Sequence, residues 1–349
     1  MIPAYFHPAQ LEFKPRYEWA FGKRIKHPET TARAESIVAQ LKKGKADYEL
    51  RAPDELPLAL LRRIHAYNLL TLYHTAAQLP DGEDLYPHVF PREMAGRGDP
   101  TNLRQAGAFC FDAGTPLNCH TWLAAAWSAG CAADAARAVR DGEPLSYALS
   151  RPPGHHAQKD AFGGYCYFNN AAVAAHVLRR KGRVVVLDID FHHGNGTQSI
   201  FYRDPKVLVI NIHGDPREFF PFYCGFAHET GAGKGIGFNL NVPLPRGTMG
   251  KTYLQKVRRI VVPAIQAFDP AHLVVSAGLD GYHKDPVGGF GLETSDFGAV
   301  GELLGRLHLP TVAVQEGGDH SADLGKNATA AASYTPLTLP TNHPAKTSV

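Results

Sequence analysis

Val184-Val-Val-Leu-Asp-Ile-Asp-Phe-His-His-Gly-Asn-Gly-Thr197 is the stretch on which the reading of this chain turns. Its β-branched start reads as a buried strand. Asp188, Asp190 and His192 follow at alternate positions, so along an extended chain they point to one face. Two carboxylates and an imidazole, then a second His and a Gly-Asn-Gly turn, make poor core, because unpartnered buried charge is costly. They make good metal ligands: zinc takes oxygen and nitrogen donors, and a catalytic zinc keeps one position open. A hydrogen-bonded cluster without a metal fits the same pattern, so this segment alone leaves two readings.

Working outward, five short apolar runs read as parallel-type strands: Leu145–Ser150, Arg183–Asp190, Val207–Ile212, His272–Ala277 and Thr311–Gln315. Helical patterns separate them at Ala171–Arg180, at Lys251–Phe268 with Pro263 inside, and at Asp296–Leu307 with Thr294 and Ser295 as cap candidates. Strands alternating with helices give an α/β fold, an open parallel sheet with helices on both faces. No repeat or low-complexity linker interrupts residues 1–330, which are expected to form a single domain. Residues 81–118, rich in Pro, Gly and Asp, read as a long irregular insertion. Residues 331–349 carry Pro336, Pro340 and Pro344 without periodicity and are expected to be a disordered tail.

The 349 residues are 44% hydrophobic and 20% charged, with a formal net charge of +3, which supplies ample core and no nucleic-acid surface. The basic clusters are short and scattered and read as solvated helix faces and ends. Five cysteines, none in a Cys-x-x-Cys pair, argue against a disulfide framework and for a reducing compartment. The first residues lack a signal-peptide pattern, and no apolar run approaches the ~20 residues of a membrane helix. A cytoplasmic chain with no membrane partner is the expectation.

Every expected strand ends in something chemically unusual. After the first comes Arg151-Pro-Pro-Gly-His-His-Ala157, and after the second the Asp/His segment. Asn211-Ile-His213 closes the third, Gly278-Leu-Asp280 follows the fourth, and Glu316-Gly-Gly-Asp-His320 follows the fifth. Open α/β sheets bind ligands beyond the carboxyl ends of their strands. Five polar or Gly-rich tips on one edge therefore favour a metal active site over separate turns. His155 and His156 suit a general base and an electrostatic partner. Asp188 and Asn195 are the natural acceptors: a carboxylate for one ring and a neutral amide for the other would push their pKa values apart.

These motifs, with Gly163-Gly-Tyr-Cys-Tyr-Phe-Asn-Asn170, resemble the zinc-dependent histone deacetylase-like family, and within it the bacterial acetylpolyamine amidohydrolases. The resemblance runs in order from about Tyr5 to Asn327. It implies an arginase/deacetylase-type fold, zinc on Asp190, His192 and Asp280, and His155 and His156 as the catalytic pair backed by Asp188 and Asn195. It also implies a potassium ion beneath the site, on Asp188, Asp190, His192, Asn211 and Ile212. Gly194 and Tyr282 stand where a second metal would need carboxylates, which disfavours a two-metal hydrolase.

The implied reaction is hydrolysis of an acetyl (acyl) amide on a small acylated amine such as an acetylpolyamine. The 81–118 insertion is expected to build a homodimer interface and narrow the active-site mouth. Gly164, Tyr165 and Phe220 match walls of the substrate tunnel, and Glu18 matches a carboxylate that attracts a cationic amine, although an exposed loop Glu reads equally well. Leu103 takes a second acidic position, which weakens the polyamine case.

At the tyrosine that normally follows Glu-Gly-Gly and helps hold the oxyanion, this chain has Asp319. Losing one such donor costs ~3 kcal/mol, about a hundredfold in rate. Impaired catalysis is therefore expected, unless a protonated Asp319 or the adjacent His320 donates instead. The segment after Asn327 also departs from the family's packed helix, so the Asp319 region is expected to be weakly anchored. A protein or histone-type acetyl-lysine deacetylase and a non-catalytic acyl-amine binder are the alternative readings.

Overall fold

The structure, a computed structural model, describes residues 1–44, 47–54, 58–94 and 96–332. Ten strands occur among them: β1 (Ile2–Tyr5), β2 (Tyr17–Ala20), β3 (Lys23–Lys26), β4 (Tyr48–Arg51), β5 (Leu145–Ala148), β6 (Val184–Asp188), β7 (Val207–Gly214), β8 (Asn239–Leu244), β9 (His272–Ala277) and β10 (Thr311–Gln315). Eight of them form one sheet in the order β4-β1-β5-β10-β9-β6-β7-β8, parallel throughout, while β2 and β3 pair as a separate antiparallel hairpin.

The alternation of the central strands builds a core on each face. Val184 and Val186 of β6 join Val207 and Val209 of β7 in one apolar cluster, whereas Val185 and Leu187 join Leu208 and Ile210 in the other. Both sets are buried, which is why these strands read as unbroken apolar runs. The covering helices are α1 (Thr31–Lys43), α2 (Leu58–Ile64), α3 (Tyr67–Ala76), α4 (Thr121–Arg140), α5 (Asn170–Leu178), α6 (Asn195–Phe201), α7 (Gly250–Lys256), α8 (Val262–Phe268), α9 (Thr294–Gly305) and α10 (Ser321–Ala332). The alanine-rich α4 packs with α5 on the first core, and α1, α9 and α10 close the second.

Several expectations need correcting. The ladder of β6 stops at Asp188, so Asp190 and His192 sit on the loop beyond it rather than on the strand. Carboxylates win the backbone donors there: Asp190 N–H donates to Asp188 Oδ1 at 3.1 Å, and His192 N–H to Asp190 Oδ1 at 2.8 Å. The 251–268 helix is interrupted by a π turn at Val257–Val261, just ahead of Pro263, which has no N–H to donate. Helix α9 is capped by Glu293 in a reciprocal box with Asp296, not by Thr294 or Ser295. Strands β1, β4 and β8 went unread because Pro3, the charged residues of β4 and the Asn and Pro of β8 hide them. β4 and β8 are edge strands, where such residues are tolerated.

The 81–118 segment is irregular, as expected, with 3₁₀ turns at Arg92–Met94 and Leu103–Phe109. It is folded down all the same: Ala106, Phe109 and Leu117 are buried in the first core. Helix α10 runs through Ala331 and Ala332, so the first two residues of the expected tail are helical; residues 333–349 lie outside the described part. All five cysteines are unpaired by disulfides. Among the described residues, no helix is long and apolar enough to cross a membrane.

Leu187 is 1% exposed at the centre of the sheet and Leu123 is 54% exposed on α4. Leu187→Ala is expected to lower unfolding free energy by about 2–5 kcal/mol and Leu123→Ala by less than about 0.5 kcal/mol, read from urea denaturation.

Candidate metal centre and active-site cavity

The loops after β5, β6, β9 and β10 converge on one point because these strands are neighbours in the parallel sheet. Asp190, His192 and Asp280 meet there, with their donor atoms within 4.8 Å of one another. His192 Nδ1 is 2.9 Å from Asp280 Oδ2 and 3.5 Å from Asp190 Oδ1. The loops are tied by backbone donors to the same carboxylates: Phe191 N–H to Asp280 Oδ1 at 2.7 Å and Gly317 N–H to Asp190 Oδ2 at 2.8 Å.

The set fits a divalent cation. Burial and then the neighbouring Asp190 carboxylate push Asp280 up to about 8. Burial disfavours the charged form of His192, but the two carboxylates hold it up to about 10. Two buried carboxylates on one imidazole carry surplus negative charge, which a divalent metal would neutralise. The oxygen–nitrogen–oxygen donor set is one that zinc accepts.

The histidine pair lies beside it. His155 Nδ1 is 3.0 Å from Asp188 Oδ2, and His156 Nδ1 is 2.6 Å from Asn195 Oδ1. Their rings are 4.0 Å apart. Burial lowers His155, but Asp190 and Asp188 outweigh it and hold the ring well above its ordinary value. Burial, reinforced by the charge of His155 and His192, holds His156 well below its own. The split expected from a carboxylate beside one ring and an amide beside the other is present.

Glu316 fixes the loop that carries the pair: its Oε2 accepts from Gly154 N–H at 2.6 Å and His155 N–H at 3.0 Å. Asn195 in turn donates to Tyr223 Oη at 3.0 Å. Asn211 and Ile212 sit near the end of β7, and Asn211 lies in ladder register with Asp188. The Asn211 Oδ1 accepts from Gly194 N–H at 3.1 Å.

An open cavity of about 500 Å³ leads to this point and is lined by Glu18, Gly164, Tyr165, Phe220 and Asp319 as well as the metal-site residues. Gly164 has φ +57°, and a Cβ there would run into the His156 ring. The Phe220 ring meets that of His156 edge-on, with ring centres 4.9 Å apart. Glu18, on the β2–β3 hairpin, is 6% exposed and accepts from Tyr165 Oη–H at 2.6 Å, so it is not the exposed loop residue that its sequence allows. Burial raises its pKa, against the lowering effect of Tyr165.

Asp319 is well anchored, contrary to expectation. Its own N–H and that of His320 donate to Asp285 Oδ2 at 2.6 and 3.1 Å. Its carboxylate lies 3.3 Å from Arg33 Nε, a buried guanidinium that also bonds Glu29 and the Gly318 carbonyl. Burial drives the Asp319 carboxyl up to about 7; Arg33 opposes this, and Asp285 and Glu29 add to it. His320 turns instead to Asp323, 3.2 Å away, and is not among the residues lining the cavity. Sequence reasoning missed Arg33, Glu29 and Asp285, which carry no motif of their own.

The histone deacetylase domain description matches residues 27–335. The chain is 43% identical over 332 residues to the acetylpolyamine amidohydrolase of Burkholderia pseudomallei, covering 93% of this chain and 96% of that protein. It is 37% identical to the acetylpolyamine amidohydrolase of Mycoplana ramosa, covering 88% and 91%. The crystal structure of acetylpolyamine aminohydrolase from Burkholderia pseudomallei superposes with a TM-score of 0.89 at 40% identity, covering 95% of this chain and 98% of that one.

Gly164→Ala is expected to displace the His156 ring, cutting hydrolytic activity at least about a hundredfold, the scale of a lost general base. It should lower the thermal unfolding midpoint as well, because φ +57° and the buried ring both oppose a Cβ there.

Proposed function

The chain belongs to the histone deacetylase family, and from that premise we propose that it is a zinc-dependent amidohydrolase acting on acetylated polyamines or related small acylamines. The observation that carries the reading is the histidine pair, split by Asp188 and Asn195, beside the Asp190–His192–Asp280 donor set at the end of one cavity. Relatives that cover nearly the whole chain are acetylpolyamine amidohydrolases, which favours small acylamines over acetyl-lysine in proteins. A zinc ion held by Asp190, His192 and Asp280 would polarise the amide carbonyl and acidify water.

In this proposal the chain's residues divide the proton work. His156, held neutral, accepts the proton of the attacking water at Nε2, since its Nδ1 is committed to Asn195. His155, held charged by Asp190 and Asp188, supplies positive charge beside the reaction and gives its own proton to the leaving amine, a loss that the proton taken up by His156 makes good before the next turnover. Tyr165 and Phe220 wall the acyl chain. Glu18, buried yet with Tyr165 as its donor, offers negative charge to a distal ammonium. Oxygen donors of Asp188, Asp190, His192, Asn211 and Ile212 suit a potassium ion behind the site. A single domain spanning 1–330, a homodimer built through the 81–118 insertion, and a cytoplasmic location complete the proposal.

Asp319 favours a second reading, an acyl-amine binder with little turnover. An ionised carboxylate would repel the developing oxyanion, whereas a protonated one can donate to it. With the carboxyl raised to about 7, the donor form predominates below that pH and is lost as pH rises through it. Asp319→Asn keeps a donor at all pH, so the ratio of wild-type to Asp319→Asn activity is expected to fall as pH rises through about 7; a flat ratio would exclude this role.

Acetate release from acetylputrescine by zinc-loaded protein tests the main reading. Asp319→Tyr is expected to raise kcat roughly a hundredfold. If the variant gains nothing and both proteins are inactive, the polyamine hydrolase proposal fails. A variant that turns over while the wild type only binds would support the binder.

A further inference from the structure

We propose that Asp81, Cys119 and His120 form a second metal site, for a zinc-class divalent cation, that clips together the two ends of the 81–118 insertion. Asp81 opens the insertion, and Cys119 and His120 follow its last residue. Asp81 Oδ1 lies 3.0 Å from His120 Nε2 and 3.8 Å from Cys119 Sγ, and the three donor atoms fall within 4.8 Å of one another. Tetrahedral bonds of about 2.0–2.3 Å to O, N and S place ligand atoms roughly 3.2–3.7 Å apart, close to this spacing. Thiolate, imidazole and carboxylate are a donor set that zinc takes, and three protein ligands leave a fourth position for water.

The arms are held in place by the protein itself. Leu85 and Leu117 exchange backbone hydrogen bonds of 2.7 and 2.8 Å across the neck of the insertion. Asn118 donates to Asp84 Oδ1 at 3.1 Å and accepts from His120 N–H at 3.0 Å. The cluster sits at the surface, with Asp81 exposed and Cys119 and His120 half-buried, so an ion can reach it. An exposed Asp–His pair alone contributes little, but here the Cys119 thiol also turns onto the same Asp81 Oδ1, so one carboxylate oxygen gathers both the imidazole and the sulfur.

The site lies far along the chain from the catalytic donors yet bears on their cavity. Asp112, inside the insertion, lines that cavity and accepts from the N–H of Gly164, the residue packed against His156. Closing the neck with a metal restricts the excursions open to this wall.

Cobalt titration of the full-length protein separates the two sites. The Asp190–His192–Asp280 donors include no thiolate, and Cys166 beside His155 and Glu316 is the other cysteine in such a cluster, so the sulfur-to-cobalt charge-transfer band that Cys119→Ser removes is the one that reports the clip. The band is expected to saturate at one cobalt per chain, to vanish in Cys119→Ser, and to need at least about tenfold more cobalt in Asp81→Asn. Cys224→Ser, which alters the half-buried thiol near His193, should keep it. Filling the clip should also raise the thermal unfolding midpoint of the wild type but not of Cys119→Ser. No band in the wild type, a band that survives Cys119→Ser, or one lost in Cys224→Ser would overturn the proposal.

Discussion

Burial of carboxylates at the carboxyl edge of the sheet is the constraint from which the rest of this structure follows. Asp188, Asp190, Asp280 and Glu316 are each no more than 1% exposed. Leaving such groups unpaired in an apolar surrounding would cost several kcal/mol apiece. The chain meets the demand with its own backbone: N–H groups of Gly154, His155, Asp190, Phe191, His192 and Gly317 all point to these oxygens. Four of these bonds, from Gly154, His155, Phe191 and Gly317, tie one strand tip to another, so the charge that makes the site reactive also fixes the loops that shape it.

A second polar layer stands behind the first. Glu29 holds both Arg33 and Arg151, at 2.9 and 2.7 Å, and Arg33 reaches the Gly318 carbonyl and the Asp319 carboxylate. Removing one member of such a buried set strands the charge of its partner, a larger loss than the pair's own net contribution. The layer anchors the Glu316–Asp319 loop firmly, although a carboxylate stands where the family places a phenol. Asp319 is thus an altered chemical group on an intact scaffold, not a sign of local disorder.

The central strands were legible because they are buried on both faces: the runs at 272–277 and 311–315 match β9 and β10 residue for residue. Edge strands β4 and β8 were not, since charged, Asn and Pro residues are allowed where one side of a strand has no partner. The ends of β6 and α9 were misjudged for a shared reason. Side chains of Asp188, Asp190, Glu293 and Asp296 capture backbone donors, and this local competition overrides periodicity.

By itself the sequence determined the donor types, their order along the chain and the parallel α/β frame, because strand burial and strand-tip chemistry are local patterns. It also indicated that one histidine of the pair would face a carboxylate and the other an amide, while the fold decided that His155 takes Asp188 and His156 takes Asn195. Only the tertiary structure decided that Glu18 is buried in the cavity, that Asp319 faces Arg33 while His320 turns away, and that Cys119 and His120 meet Asp81. Those groups come together across 38 to 286 positions of sequence, and nothing in a local pattern encodes a distance set by the packing of a whole sheet.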